Sequence, residues 1–300
     1  MNRETSATTQ HIGIVGCSAE GAALCYRTIC LEGAQFLGAH DHPEVSMHTH
    51  SLAEYMKPIY RGDWAAVGEI MLSSAHKLAK VGADFLICPD NTVHQALPFF
   101  QSRSPLPWVH IAEVVAGEAV ARGFRRLGLT GTKYLVESEV YPEKLTARGL
   151  AYVRPEAAER EEINRIIFEE LVYGTFKPEA VAYFQKVMRR LKDEGCDAVV
   201  LGCTEIPLIM SDANSPLPTL DSTRLLARAA LRRAVKGVPA PAWGASSGTG
   251  LAAPRPDAVE DAHHDGDPVR IEDHEHDPRH RRQGGAERLR DGLHGPIERE

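Results

Sequence analysis

The sequence predicts an α/β protein made of two similar lobes, each a parallel sheet flanked by helices. Between residues 12 and 236, short and fully apolar runs alternate with longer segments of helical periodicity. Strands that are apolar on both faces are typical of parallel sheets covered by helices. Two pairs of strand-and-turn segments also recur in the same order at nearly constant spacing. The repeat predicts a pseudo-twofold relation between the lobes.

The individual elements follow from the position of each apolar or periodic run. The predicted strands are HIGIVG (11–16), a strand beginning at Val45, ADFLIC (83–88), PWVHI (107–111), RLGLTG (126–131) and DAVVLG (197–202). The predicted helices cover 20–32, 64–82, 113–124, 161–174 and 178–195. This alternation favours parallel pairing of the strands, with the helices covering both faces of each sheet.

Composition and charge exclude several classes of function. With 43% apolar residues among 300, the chain can bury a substantial core. A net charge of −7 gives no general basic surface, so nucleic acid is not an expected partner. The N-terminus lacks the pattern of a signal peptide and no run of about 18 apolar residues follows, so we expect a cytoplasmic protein without a membrane partner. The six cysteines show no CxxC pairing, which argues against a zinc ribbon or a disulfide framework.

The composition changes near residue 237. After Trp243 the chain contains no aromatic residue, methionine or cysteine, which predicts a disordered tail. The expected domains are a first lobe over 10–107 plus 219–236, a second lobe over 108–204, a crossover over 205–218 and the disordered tail over 238–300.

The repeat is the most informative feature. GADFLICPDNT (82–92) aligns without a gap to GCDAVVLGCTE (195–205), and IGIVGC (12–17) aligns to LGLTGT (127–132). In open parallel sheets the ligand lies outside the carboxyl ends of the strands, and all four turns follow strands directly. We therefore expect the active site in a cleft between the lobes. Asp90 and Cys203 would face it from equivalent positions.

These motifs resemble the aspartate/glutamate racemase family. The segments that carry the resemblance are IGIVGCSAE, PDNTVH, GLTGT and GCDAVVLGCTEIP, in that order, within about 10–236. The resemblance implies a cofactor-independent racemase or epimerase of an acidic amino acid, aspartate or glutamate, using two facing acid/base groups that are usually two cysteines. Cys203 matches the second catalytic cysteine. Through the same motifs, the resemblance implies substrate-binding roles for Ser18, Asn91, Thr92, Thr132, Thr204 and Glu205.

Asp90 departs from the family pattern, because it stands where the first catalytic cysteine is expected. An ordinary aspartate has a pKa of about 3.9 against about 8.5 for cysteine, so Asp90 is a weak base unless burial raises its pKa. Asp90 also suits a residue that caps the following helix. Three functions stay open: a two-base racemase, a single-cysteine decarboxylase or cis-trans isomerase of a small dicarboxylic acid, and a silent carboxylate-binding relative. A homodimer is also left open.

Other site types have less support. The first turn does not satisfy GxGxxG and no GxxxxGK[ST] occurs, so the sequence does not favour nucleotide binding. The segment HDHPEVSMHTH (40–50) carries four histidines that could form a zinc site, but a loop or surface strand, or a lining of the cleft, accounts for them as well, and we predict no metal site. His48, Lys57 and Arg61 are candidates for holding the distal acid group of a substrate.

Overall fold

The first sheet is parallel and has four strands. The structure is a computed structural model that describes residues 9–236. The strands of this sheet are β1 (Ile12–Gly16), β2 (Val45–Thr49), β3 (Phe85–Ile87) and β4 (Trp108–Val109). They lie in the order β2-β1-β3-β4, and every pairing between them is parallel. The strands β1 and β3 are buried throughout, as a central strand covered on both faces must be.

The second sheet repeats this arrangement. Its strands are β5 (Arg126–Thr130), β6 (Ala151–Val153), β7 (Ala198–Leu201) and β8 (Thr219–Asp221). Their order is β6-β5-β7-β8, again with parallel pairing throughout. The predicted equivalences of β1 with β5 and of β3 with β7 therefore hold in the topology. The predicted fold class, two similar lobes with parallel sheets flanked by helices, is confirmed.

Ten helices accompany the strands in residues 9–236. They are α1 (Ala19–Leu37), α2 (Leu52–Tyr60), α3 (Trp64–Lys80), α4 (Leu97–Phe100), α5 (Ile111–Ala121), α6 (Lys133–Val136), α7 (Val140–Thr146), α8 (Ala157–Glu169), α9 (Pro178–Asp193) and α10 (Ser222–Ala234). Short 3-10 turns cover Thr92–Ala96, Gln101–Arg103, Leu171–Tyr173 and Ile206–Leu208. No helix among these residues is both long and apolar enough to cross a membrane.

Local sequence signals place the ends of the main helices. Ser18 caps α1 by accepting a hydrogen bond from the backbone N–H of Gly21 at 3.2 Å. Thr132 caps α6 in the same way, at the equivalent strand end of the second lobe. Gly82 and Gly195 follow α3 and α9 with φ values of 91° and 86°, a conformation that glycine adopts without steric cost. These glycines turn the chain into β3 and β7, the two strands that lead to the predicted site.

The last helix of each repeat packs on the sheet of the other lobe. In α10, Leu226, Ala227 and Ala230 pack in one core cluster with Ile14 of β1 and Ile87 of β3. The helix α5, which follows β4, packs with core residues of the second sheet. The two lobes therefore share buried apolar surface beyond the turns that face each other.

The boundaries expected from the sequence do not coincide with the membership of the two sheets. Trp108–Val109 pairs with β3 in the first sheet, whereas the expected second lobe began at residue 108. Thr219–Asp221 pairs with β7 in the second sheet, although 219–236 was assigned to the first lobe. The reason is that β4 and β8 each complete their own sheet, and only the helices that follow them, α5 and α10, pack on the sheet of the other lobe. The expected tail over 238–300 lies outside the described residues.

Candidate active site

A cleft lies where the turns after β1, β3, β5 and β7 meet. It is open to solvent and is lined by residues of both lobes. All eight residues that the sequence analysis assigned to the site line this cleft: Ser18, Asp90, Asn91, Thr92, Thr132, Cys203, Thr204 and Glu205. The structure thus brings the predicted residues together from both lobes.

The Asp90 carboxylate is held by the backbone at the start of α1. Its oxygen atoms accept hydrogen bonds from the N–H of Cys17 at 3.1 Å and from the N–H of Ser18 at 3.2 Å. The side-chain hydrogen bonds of Asp90 therefore go to the start of α1, and the residue at the N-cap position of the 3-10 turn Thr92–Ala96 is Asn91. The alternative that Asp90 caps its own following helix is therefore wrong in its geometry. The residue instead joins the two polar turns of the first lobe.

The environment of Asp90 raises its pKa to about 7. Withdrawal of the carboxylate from bulk water is the largest cause, and the nearby Glu205 carboxylate acts in the same direction. Hydrogen bonds from Ser18 and Cys17 oppose both effects, because they favour the ionised form. Near neutral pH the group therefore exists in both protonation states. A carboxylate with this pKa is a much better proton acceptor than an ordinary aspartate.

The Cys203 thiol faces the cleft from the second lobe. It is buried and donates a hydrogen bond to Oε2 of Glu205 at 2.9 Å. Burial raises the pKa of the thiol well above its usual range, and the Glu205 carboxylate raises it further. Cys203 is consequently a neutral thiol, and hence a proton donor, at neutral pH. The cleft pairs an ionisable carboxylate with a protonated thiol.

A chain of hydroxyl groups connects the two lobes beside these groups. Thr204 donates to Oε2 of Glu205 at 2.6 Å, and its oxygen lies 3.1 Å from Oγ of Ser18 in the first lobe. Gly21 permits this approach, because a Cβ there would lie 2.3 Å from Cγ2 of Thr204. The first turn of α1 therefore contacts the turn that carries Cys203.

A second bridge joins the lobes through two threonines. The hydroxyl groups of Thr92 and Thr132 lie 2.9 Å apart, and Thr132 also accepts the N–H of Leu135 as the cap of α6. Thr132 therefore donates to Thr92 or receives a bond from it across the cleft. Both hydroxyl groups line the space in which a ligand would sit.

The amide of Asn91 is engaged by the protein at both ends. Its oxygen accepts a hydrogen bond from the hydroxyl group of Tyr141 at 2.7 Å, and its nitrogen donates to Oγ of Ser222 at 2.9 Å. Ser222 in turn donates to the carbonyl oxygen of Leu201. Asn91 thus lines the cleft, yet its amide fixes the turn of the first lobe against the second. A contact of this amide with substrate stays a prediction.

Sequence reasoning missed the apolar half of the lining. Eight apolar or aromatic side chains line the cleft, and one of them, Val93, belongs to the polar turn after β3. The other seven lie outside the strand-end turns, so the rule that located the polar residues could not find them: Leu52, Met56, Ile59, Tyr134, Ile167, Phe168 and Val172. Cys17 was not among the predicted site residues, yet it lines the cleft and its N–H donates a hydrogen bond to the Asp90 carboxylate.

The candidate residues for a distal acid group lie elsewhere. His48 is bonded to Ser74 and Lys77, and Lys57 and Arg61 are exposed at the end of α2. Within residues 9–236, the lining of the cleft includes none of these three.

The same part of the chain holds no group of three His, Cys, Asp or Glu side chains placed to bind a metal ion.

Comparisons with known proteins agree with this architecture. The family model described as Asp/Glu/hydantoin racemase matches residues 14–230. The broad specificity amino-acid racemase RacX of Bacillus subtilis (strain 168) is 23% identical over 192 residues, which span 63% of this chain and 80% of that protein. A glutamate racemase of Hydrogenobaculum sp. (strain Y04AAS1) is 27% identical over 150 residues, spanning 49% of this chain and 56% of that protein. The structure of an aspartate racemase homologue from Pyrococcus horikoshii OT3 superimposes with a TM-score of 0.66 at 29% identity, covering 75% of this chain and 99% of that one.

Proposed function

We propose that this chain, which belongs to the Asp/Glu/hydantoin racemase family, inverts the α-carbon of an amino acid without a cofactor. The observation that carries the proposal is the pairing of Asp90 and Cys203 in one cleft. Each follows the equivalent central strand of its lobe, and the raised pKa values of both groups support a base at Asp90 and an acid at Cys203 near neutral pH. Racemisation needs one base and one acid, located on opposite faces of the α-carbon.

The reaction transfers one proton to the protein and another back. The Asp90 carboxylate removes the α-proton, and the electron pair of the C–H bond moves toward the adjoining substrate carboxylate. The Cys203 thiol then protonates the carbon from the opposite face. Asp90 ends as the neutral acid and Cys203 as the thiolate. Inversion of the other enantiomer uses that second state of the pair, with the roles of the groups exchanged.

The rest of the cleft supports the two charged groups that every amino acid carries. The hydroxyl groups of Ser18, Thr92 and Thr132 are donors suited to the α-carboxylate, whose charge grows as the proton leaves. Glu205 supplies negative charge for the α-ammonium group. That positive charge also lowers the cost of forming the Cys203 thiolate in a buried site.

The resemblance of the motifs makes aspartate and glutamate the first substrates to test. The purified protein should exchange the α-hydrogen of its substrate for deuterium in D₂O and destroy optical purity, both without added cofactor. Proton NMR and polarimetry measure the two events. Carbon dioxide release from a malonate-type acid without such exchange would establish the decarboxylase alternative instead. Binding of amino acids without exchange would establish the silent relative.

A further inference from the structure

Polar and apolar residues occupy different parts of the cleft. The polar groups all come from the turns after the strands, whereas seven of the eight apolar or aromatic lining residues, all but Val93, come from α2, α6, α8 and the turn Leu171–Tyr173. We call these seven residues, Leu52, Met56, Ile59, Tyr134, Ile167, Phe168 and Val172, the apolar wall. Within it, the rings of Tyr134 and Phe168 meet edge to face, with centroids 6.4 Å apart. A substrate held by its reacting carbon at the turns would direct its side chain toward this wall.

The cleft has no cation for a second carboxylate. Among the residues of 9–236 that line it, none is a lysine, arginine or histidine. Lys133 lies between two lining residues in the sequence, but its ammonium group is 3.2 Å from the Glu161 carboxylate. Lys57 adjoins Met56 and is exposed. The nearby cations therefore point to other partners or to solvent.

The charges already in the cleft are negative. The carboxylates of Asp90 and Glu205 sit close enough to raise the pKa of Asp90. The distal carboxylate of aspartate or glutamate would be buried against apolar side chains and repelled by both groups. Burial of an unpaired charge is among the most costly events in a protein site, whereas an apolar side chain gains from the same contact.

We propose that the substrate is an amino acid with an uncharged apolar side chain, in the size range of leucine, methionine and phenylalanine. The inference rests on the proposed racemisation and concerns the group that the apolar wall receives. The α-ammonium and α-carboxylate groups are common to all amino acids and use the polar turns. The side chain is the part of the substrate that contacts the apolar wall, so the wall determines which amino acids are accepted.

Measurements on the full chain test the inference directly. Both enantiomers of leucine, methionine, phenylalanine, aspartate, glutamate and lysine are incubated with the protein in D₂O, and kcat/KM is obtained for α-hydrogen exchange and racemisation. We expect the best apolar substrate to exceed both acidic ones by about 10²-fold or more. Fastest turnover of aspartate, glutamate or lysine would overturn the inference and leave the racemase intact. Absence of exchange with every amino acid would overturn the proposed function itself, and the inference with it.

A charge placed in the apolar wall should reverse the preference. Phe168→Arg and, independently, Met56→Arg change partly buried wall residues on two different helices. Each should lower kcat/KM for the best apolar substrate and raise the ratio of glutamate to leucine turnover by at least about 10-fold. Tyr173→Arg is the control, since Tyr173 adjoins Val172 but is 77% exposed and outside the cleft. If both folded wall variants kept the wild-type preference, the apolar wall would not contact the side chain and the inference would fail.

Discussion

At Asp90, two opposing influences act on one carboxylate. Loss of water and the charge of Glu205 favour the neutral acid, while the N–H groups of Cys17 and Ser18 favour the ion. The balance leaves a pKa of about 7, far above the value of about 3.9 for an exposed aspartate. Sequence position alone predicted a weak base here. In the structure, withdrawal of the carboxylate from water raises its pKa and makes it a stronger base.

The first prediction concerns the pH dependence of turnover. Racemisation needs one of the two groups, Asp90 and Cys203, to be protonated and the other to be ionised. Below about pH 7 both groups are protonated, so no base is left. We therefore expect kcat/KM to rise with pH through about 7. The two enantiomers have equal free energies, so the equilibrium constant of racemisation is 1. The values of kcat/KM for the two enantiomers must therefore be equal at every pH.

The variant Asp90→Cys supplies the matching comparison. A thiol has an ordinary pKa of about 8.5, so the rising limb should move to higher pH while racemisation persists. Stopped assays by chiral chromatography at a series of pH values give both profiles. A rising limb that stays in place in Asp90→Cys would show that another group controls it.

The second prediction concerns stability. The folded-state pKa of Asp90 is raised from 3.8 to about 7, so the folded protein binds the proton more tightly than the unfolded chain. The free energy of unfolding contributed by this group is then fully present below about pH 4 and is lost as pH rises toward 7. Denaturant unfolding of the wild type and of Asp90→Asn across this window isolates the effect. The wild type should lose stability relative to the variant as pH rises, and a constant difference would contradict the raised pKa.

At the scale of elements, the strand-end turns are fixed by bonds between distant parts of the chain. Asn91 joins the first lobe to Tyr141 in α7 and to Ser222 in α10, at sequence separations of 50 and 131 residues. The sequence predicted the turn from its polar residues. It could not predict these partners, because no local pattern links positions so far apart.

The third prediction tests this connection. Tyr141→Phe removes one hydroxyl group and leaves the buried amide oxygen of Asn91 without its donor. The free energy of unfolding should fall by about 1–3 kcal/mol, measured by urea titration. Tyr173→Phe, which changes an exposed tyrosine, should alter it by less than about 0.5 kcal/mol. Equal effects of the two substitutions would mean that the bond to Asn91 adds no stability.

At the scale of the whole molecule, the repeat determined how much could be predicted. Together with the alternation of apolar and helical segments, the repeat predicted the fold class and the facing positions of Asp90 and Cys203. The family resemblance supplied the other six predicted site residues. The repeat includes a third pair of matching segments: SPLP occurs at 104–107 and again at 215–218, directly before β4 and β8. Its prolines occupy the same position in each sheet, since Pro107 and Pro218 accept the N–H groups of Leu86 and Val199. This signal would have placed β4 in the first sheet and β8 in the second.

The apolar wall shows where sequence reasoning ends. Its members lie on helices whose apolar residues read as core positions, because periodicity does not distinguish a face packed on a sheet from one that lines a cleft. Ile167, for example, belongs both to the core of the second lobe and to the lining. Only the assembled lobes reveal the difference.

The most direct test of the account asks whether Asp90 and Cys203 serve opposite faces of one α-carbon. Deuterium incorporation and racemisation are measured separately on each pure enantiomer of the best substrate. The proteins compared are the wild type, Asp90→Asn, Cys203→Ala and the control Cys196→Ala, whose cysteine is buried outside the cleft.

We expect both site variants to lose racemisation by about 10²-fold or more, since every inversion needs both groups. Each should still exchange the α-hydrogen of one enantiomer, using the group that is left, and the two variants should retain opposite enantiomers. Cys196→Ala should behave as the wild type. Racemisation at the wild-type rate in either site variant, or exchange of the same enantiomer by both, would contradict the two-face mechanism.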